Sequence, residues 1–309
     1  MNFQKFSEKS VLLTDLSPYV YGTTKLGDDK ISFDERVEMA MAAMHTGVWF
    51  HTSHWYGDAL KVLRAAFDAD RASLPNLIVK LGGESIDEFH ADIKKNTEPL
   101  AINSINLGQL CLGGDLAQDF ANGGESLKAL KDIKAQGLVK SFVMEVFPWT
   151  SDVPYRALQR GFTNGLIDGY IFYLNPLQRF ADNRLWDLLR ERSEPIIAMR
   201  TVAGGPVHRL RDEPGFAWKE YLQKRATEVA PIFERSGILT WTEFCMRFAH
   251  SFSQVRATVG STSNAENLQE YLSAAETIDP LPYDIVEEIV KLHYRWSDEE
   301  DVKAEPWSM

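Results

Sequence analysis

Two hydrophobic patterns alternate along the chain. Short apolar runs rich in β-branched and aromatic residues read as buried strands, and longer segments with apolar residues every three or four positions read as amphipathic helices. The strands predicted in this way are 19–21 (YVY), 49–52 (WFHT), 76–81 (NLIVKL), 104–112 (SINLGQLCL), 141–147 (SFVMEVF), 166–174, 195–200 (PIIAMR) and 255–260. Helical spacing covers 32–46, 58–69, 126–136, 154–159, 185–192, 218–235, 240–251, 264–275 and 283–294, and a further helix opens at Ser85. Ser32-Phe-Asp-Glu35 and Ser85-Ile-Asp-Glu88 have the capping-box spacing that opens a helix, and Gly47 and Gly137 follow helices as stops.

Eight strands, each followed by helix and joined by mostly short loops, predict a parallel sheet with right-handed crossovers. Eight is the number that closes a (β/α)8 TIM barrel, with an open doubly wound α/β sheet as the other architecture this alternation allows. No linker or shift in composition divides residues 1–309, so a single domain is expected. One connection stands out. Residues 203–215 are rich in Gly, Pro and Arg and too polar for core, which suggests a flap. After the last helix an acidic tail completes the 283–309 segment.

Composition narrows the partners. The net charge of −11 disfavours a nucleic-acid phosphate backbone. No apolar run reaches the ~20 residues needed to span a bilayer, and the N-terminus lacks the apolar core of a signal peptide. Only two cysteines, Cys111 and Cys245, fit a reducing, cytoplasmic compartment.

In a barrel the chemistry sits at the C-terminal ends of the strands. Those ends carry Gly22-Thr23-Thr24, then His51 with His54 and Tyr56, then Lys80, Cys111, Glu145, Asn175, Arg200, and Gly260-Ser261-Thr262. Two histidines and a tyrosine within GVWFHTSHWYG, directly after a strand, make this stretch the centre of the candidate site. Lys80 ends an apolar strand, where a cation is costly unless exposed or paired, and Glu145 is a candidate partner. Cys111, flanked by leucines, reads equally as a small buried hydrophobe. The spacing of His51, Cys111 and Glu145 does not support a tetrahedral metal site, so no metal is expected.

The order GTTKLG, then TSHWYG, then LIVKLG, followed by LKALKDIKAQGLVKSFVMEVF, IDGYIFYLNPLQR, IIAMRTVAGG and VGSTSNAENLQEYLSA, resembles the aldo-keto reductases over essentially the whole chain. The resemblance implies a barrel that binds NADP or NAD across its mouth and reduces a carbonyl of a sugar or small aldehyde or ketone. It makes Tyr56 the acid and Lys80 its activator. Two other catalytic positions are altered, since His51 stands at the family's Asp and Cys111 at its His. His54, Trp55 and Trp149 would contact the substrate. Gly22, Thr23, Thr24, Asn175 and Arg200 fall around the cofactor. Glu145 and Val146 replace the Ser-Asn pair that grips the carboxamide, and Ile171 replaces its Gln. Ser261, Thr262 and Glu270 match the adenosine loop, but Asn267 stands where an Arg frequently binds phosphate, and Tyr271 where the family has Asn. The same ring of residues also permits a non-redox acid–base enzyme or a catalytically silent barrel.

Overall fold

The computed structural model describes residues 11–202, 220–276 and 278–298. Within them lie nine strands: β1 (Tyr19–Gly22), β2 (Trp49–Thr52), β3 (Leu77–Gly83), β4 (Ile105–Leu112), β5 (Val139–Glu145), β6 (Ile167–Asn175), β7 (Gln178–Arg179), β8 (Ile196–Met199) and β9 (Val255–Ser261). The spatial order is β5-β4-β3-β2-β1-β9-β8-β6, and a parallel β5–β6 pairing closes the ring. The closed (β/α)8 barrel excludes the open doubly wound sheet. The strands read as near-continuous apolar runs because both of their faces are covered, by helices outside and by side chains inside.

Some elements depart from the sequence expectation. A helix at Gly114–Asn122 was not anticipated, because Gly113 and Gly114 before it and Gly123 and Gly124 after it look like loop chemistry. Here Gly114 and Gly123 take left-handed backbone that starts and ends the helix. β7 is a two-residue antiparallel arm folded back on the end of β6. β5 begins two residues earlier than the apolar run suggests, because exposed Lys140 lies inside it. Ser32 and Glu35 form a complete capping box, whereas Glu88 reaches back to the Glu84 N–H instead of that of Ser85. The proposed flap at 203–215, with the tail beyond 298, lies outside the described residues. No helix among the described residues is long and apolar enough to cross a membrane.

The barrel interior is layered. Alternate residues point inward along each strand, so Val20, Trp49, Ile78, Leu107, Val143, Ile171, Ile197 and Val259 fill it as an apolar cluster distinct from the core under the helices. Leu13 and Leu16 join this cluster from below, and the Trp49 indole donates to the Asp15 carbonyl at 2.9 Å. The N-terminal end is therefore plugged. Two residues further along β2, β3, β4 and β5 the same inward face carries His51, Lys80, Gln109 and Glu145, at the open end.

Candidate active site at the barrel mouth

Local backbone geometry sets the 53–57 loop. Gly27 and Gly57, which close the GTTKLG and TSHWYG stretches, lie against each other; a Cβ on Gly27 would fall 1.7 Å from the Tyr56 carbonyl oxygen. Gly57 adopts a left-handed φ of +52°. The other side of the loop is clamped to the helix Ile86–Leu100. The His54 N–H donates to Asn96 Oδ1 at 2.8 Å, and the His54 ring lies 3.4 Å from Asp92 Oδ1 and 3.2 Å from the Asn96 amide nitrogen. Asp92 in turn accepts the Gly82 N–H at 3.1 Å. Trp55 lies over Gly82, where a Cβ would come within 2.5 Å of the indole.

Lys80 is the electrostatic centre. Its Nζ lies 3.0 Å from Glu145 Oε1, with both side chains largely removed from solvent. The two form a close ion pair, and the Cys111 thiol lies beside the same carboxylate. Trp55 and Phe147 flank the ammonium, with ring centroids at 5.6 and 5.9 Å. Burial alone would lower the pKa of Lys80, but Glu145, Cys111 and Tyr56 outweigh it and raise the pKa well above its ordinary value. Burial raises that of the half-buried Tyr56; Lys80 pulls it back, and Glu145 and Tyr173 push it up further. The Tyr56 phenol is therefore protonated at neutral pH. Cys111 is also half-buried, and burial, followed by Glu145, keeps its thiol protonated.

His51 does not pair with Lys80. Its Nε2 donates to Gln109 Oε1 at 2.6 Å, and the Gln109 amide approaches Met199 Sδ at 3.7 Å. Burial, partly opposed by Gln109, lowers the His51 pKa to about 4, so the ring is neutral. The counter-charge for Lys80 thus comes from β5, through Glu145, and not from β2.

The other expected positions divide into two kinds. Thr23 is fully buried and donates to Thr52 Oγ1 at 2.8 Å, with Gly22 packed against Ser261 and Thr24 exposed beside them. Ser261 Oγ accepts the Lys25 N–H at 2.9 Å, and Thr262 Oγ1 accepts that of Asn264 at 3.0 Å. The Asn267 N–H donates to Asn264 Oδ1 at 3.0 Å at the start of the helix Ala265–Glu276, which carries Glu270 further along. Tyr271 is stacked on Tyr19. Asn175 is fully buried, and its amide donates to the Arg200 carbonyl at 3.0 Å, so it shapes the backbone there. Arg200 has a left-handed φ of 49°, and its guanidinium lies 5.1 Å from the Tyr173 ring. Trp149 stacks on Phe147 at 4.9 Å, and Phe180 on Tyr173 at 4.3 Å. Val146 and Ile171 are fully buried.

Gln109, Phe147, Tyr173 and Asp92 escaped the sequence reading. The first could have been found, because Leu107, Gln109 and Cys111 share the two-residue period of an inward face. Asp92 could not, because it reaches the site from a helix. Among the described residues, no group of three or more His, Cys, Asp or Glu side chains is arranged to hold a metal ion.

The profile of the aldo/keto reductase family matches residues 18–293. Among solved structures, the holo form of an aldo-keto reductase from Bacillus halodurans is similar with a TM-score of 0.70 and 17% identity, over 94% of this chain and 96% of that one. An aldo-keto reductase from Klebsiella pneumoniae in complex with NADPH aligns with a TM-score of 0.67 and 17% identity, over 90% and 92% of the two chains. A sequence search of curated proteins returned no match. At these identities the likeness to solved structures concerns the fold alone.

Proposed function

We propose a function from one premise: the chain belongs to the aldo/keto reductase family, which acts on small carbonyl substrates. The reading is an NADP- or NAD-dependent oxidoreductase that reduces the carbonyl of a sugar or small aldehyde or ketone, with Tyr56 as proton donor. The observation that carries it is the meeting of Tyr56, Lys80 and Glu145 at one point of the mouth. A phenol held protonated by burial is a competent acid, and a neighbouring ammonium stabilises the phenolate left after proton transfer. Glu145 keeps that ammonium charged, the role for which His51 lacks the charge. The Cys111 thiol lies beside the pair as a weak hydrogen-bond donor.

A nicotinamide dinucleotide would supply hydride. The donors at the end of β9 suit its adenosine end. Ser261 and Thr262 offer hydroxyls, and the N-terminus of the helix beginning at Ala265 favours an anion. Asn267 and Glu270 border this loop, and neutral Asn267 gives no charge-based preference for a 2′-phosphate. Gly22, Thr23, Thr24 and Arg200 would line the middle. Val146 and Ile171 give the carboxamide no side-chain hydrogen bond.

Titration with NADPH and NADH, followed by nicotinamide fluorescence and melting temperature, tests cofactor use. Loss of reduced-nicotinamide absorbance with a panel of aldehydes then tests the reaction. Binding with turnover is expected. A folded protein that binds neither dinucleotide would overturn the reading in favour of non-redox acid–base chemistry at the same residues.

A further inference from the structure

Resting on the reductase reading, we propose that Asp92 is a positioning residue: it ties the loop that carries Tyr56 to the strand end that carries Lys80, and so sets the separation of the proton donor from its activator. Asp92 is buried and sits on the helix Ile86–Leu100, outside both segments. Its Oδ2 accepts the Gly82 N–H at 3.1 Å, two residues beyond Lys80. Its Oδ1 lies 3.4 Å from Nδ1 of His54, two residues before Tyr56. Asn96, one helical turn further on and also buried, braces the tie. The Asn96 Oδ1 accepts the His54 N–H at 2.8 Å, and its amide donates to the Asp92 carbonyl at 2.9 Å.

The backbone does not set this separation by itself. The ladder between β2 and β3 ends at the pairing of Thr52 with Val79, before either Tyr56 or Lys80 is reached. Beyond that point side chains bridge the gap. Trp55 covers it, lying over Gly82 with its ring 5.6 Å from the Lys80 ammonium. Asp92 spans it from the helix side. A hydrogen bond to a charged acceptor is about twice as strong as a neutral one, so a carboxylate holds both segments more firmly than an amide would. Burial raises the Asp92 pKa, and the Gly82 N–H, His54 and Lys95 oppose that rise. Transfer chemistry is steep in distance, and a displacement of about 1 Å costs on the order of 10²-fold in rate.

Asp92→Asn keeps the size and one acceptor but removes the charge and the second acceptor. With the full chain, NADPH and an aldehyde that the wild type reduces, the single-turnover rate at saturating aldehyde should fall by about 10–100-fold. KM and NADPH affinity should hold, since no ligand contact is lost. The solvent deuterium isotope effect should rise, because proton transfer from Tyr56 is slowed. Hydrogen exchange read by mass spectrometry should quicken in peptides covering 53–57 and 81–84 and stay unchanged in β8 and β9. His54→Leu cuts the tie from the loop side. Combined with Asp92→Asn it should slow the reaction no further, as expected of residues that act as one unit.

A wild-type rate in folded Asp92→Asn overturns the inference and leaves the reductase reading standing. A loss shared by rate, KM and NADPH affinity, with faster exchange throughout the barrel, makes Asp92 structural and also overturns it. So do additive losses with a raised KM in His54→Leu, which make His54 a substrate contact. If Asp92→Asn does not fold, His54→Leu decides: a slower single turnover at unchanged KM upholds the tie, and an unchanged rate overturns it. If the wild type reduces no aldehyde in the panel, the reductase reading fails and hydrogen exchange decides. Faster exchange confined to the two segments then upholds Asp92 as the tie between Tyr56 and Lys80 for other chemistry at the mouth. Exchange that is unchanged, or faster everywhere, overturns it.

Discussion

The two halves of the barrel mouth are built from different chemistry. From β2 to β5 the last inward-facing positions are His51, Lys80, Gln109, Cys111 and Glu145, and Tyr56 leans in from the loop after β2. From β6 through β8 to β9 the corresponding positions are Tyr173, Met199 and Ser261, one layer above Ile171, Ile197 and Val259. The first half carries the buried ion pair and its titratable neighbours, and the second is mainly apolar and aromatic, with Ser261, Asn175 and Arg200 at its rim. One half is therefore suited to move protons and hold charge, and the other to support a flat ligand and exclude water. The halves touch through Gln109, which accepts from His51 and approaches Met199.

The contrast is sharpened most by breaking the ion pair. Lys80→Met leaves Glu145 buried and uncompensated, and should cost about 3–5 kcal/mol of stability as well as turnover. Urea denaturation measures the first and aldehyde reduction the second. Adding Glu145→Leu to the same chain should restore much of the stability, because an apolar pair replaces an ion pair, while turnover stays lost. Recovered turnover in the double variant would make the pair structural and leave the proton-moving half without its centre.

His51 gives a pH-dependent effect. Its folded pKa is lowered to about 4 from an ordinary value of 6.5, so the unfolded chain takes up the proton first as pH falls. Its contribution is fully present above pH 6.5 and is lost towards pH 4, by up to about 3 kcal/mol. His51→Asn should flatten the fall in melting temperature over this window. The remaining fall comes in part from half-buried His250 and buried His293, whose pKa values are also lowered, chiefly by burial. A profile identical to wild type would mean that His51 is not held neutral.

The smallest effect lies on the other side of the mouth. Ser261→Ala removes the acceptor for the Lys25 N–H and should cost about 1 kcal/mol. It should weaken dinucleotide binding more than it slows the chemical step, which single-turnover kinetics would separate. An equal loss in both would place Ser261 with the proton-moving residues instead.

The sequence makes the barrel legible because strand–helix alternation is local and repeats eight times. Tyr56 and Lys80 were visible as polar groups at strand ends, and TSHWYG and GTTKLG as glycine-bounded loops. Two things were not legible. Periodicity shows which residues face inward but not which of them touch across the barrel, so the His51–Gln109 bond went unseen, while Glu145, named only as a candidate partner for Lys80, does pair with it. Side chains that serve the backbone also look like functional ones. Asn175 stands at a strand end like a ligand-binding residue, yet its amide holds the strained turn at Arg200. His54 resembles a substrate contact, yet it is also engaged with Asn96 and Asp92.

The central claim is that Tyr56 supplies the proton. The most direct measurement is the single-turnover rate of carbonyl reduction by Tyr56→Phe, which removes only the hydroxyl, beside wild type at equal cofactor occupancy. The account predicts a fall of about 10²–10⁴-fold with cofactor binding unchanged. A rate equal to that of wild type would contradict it.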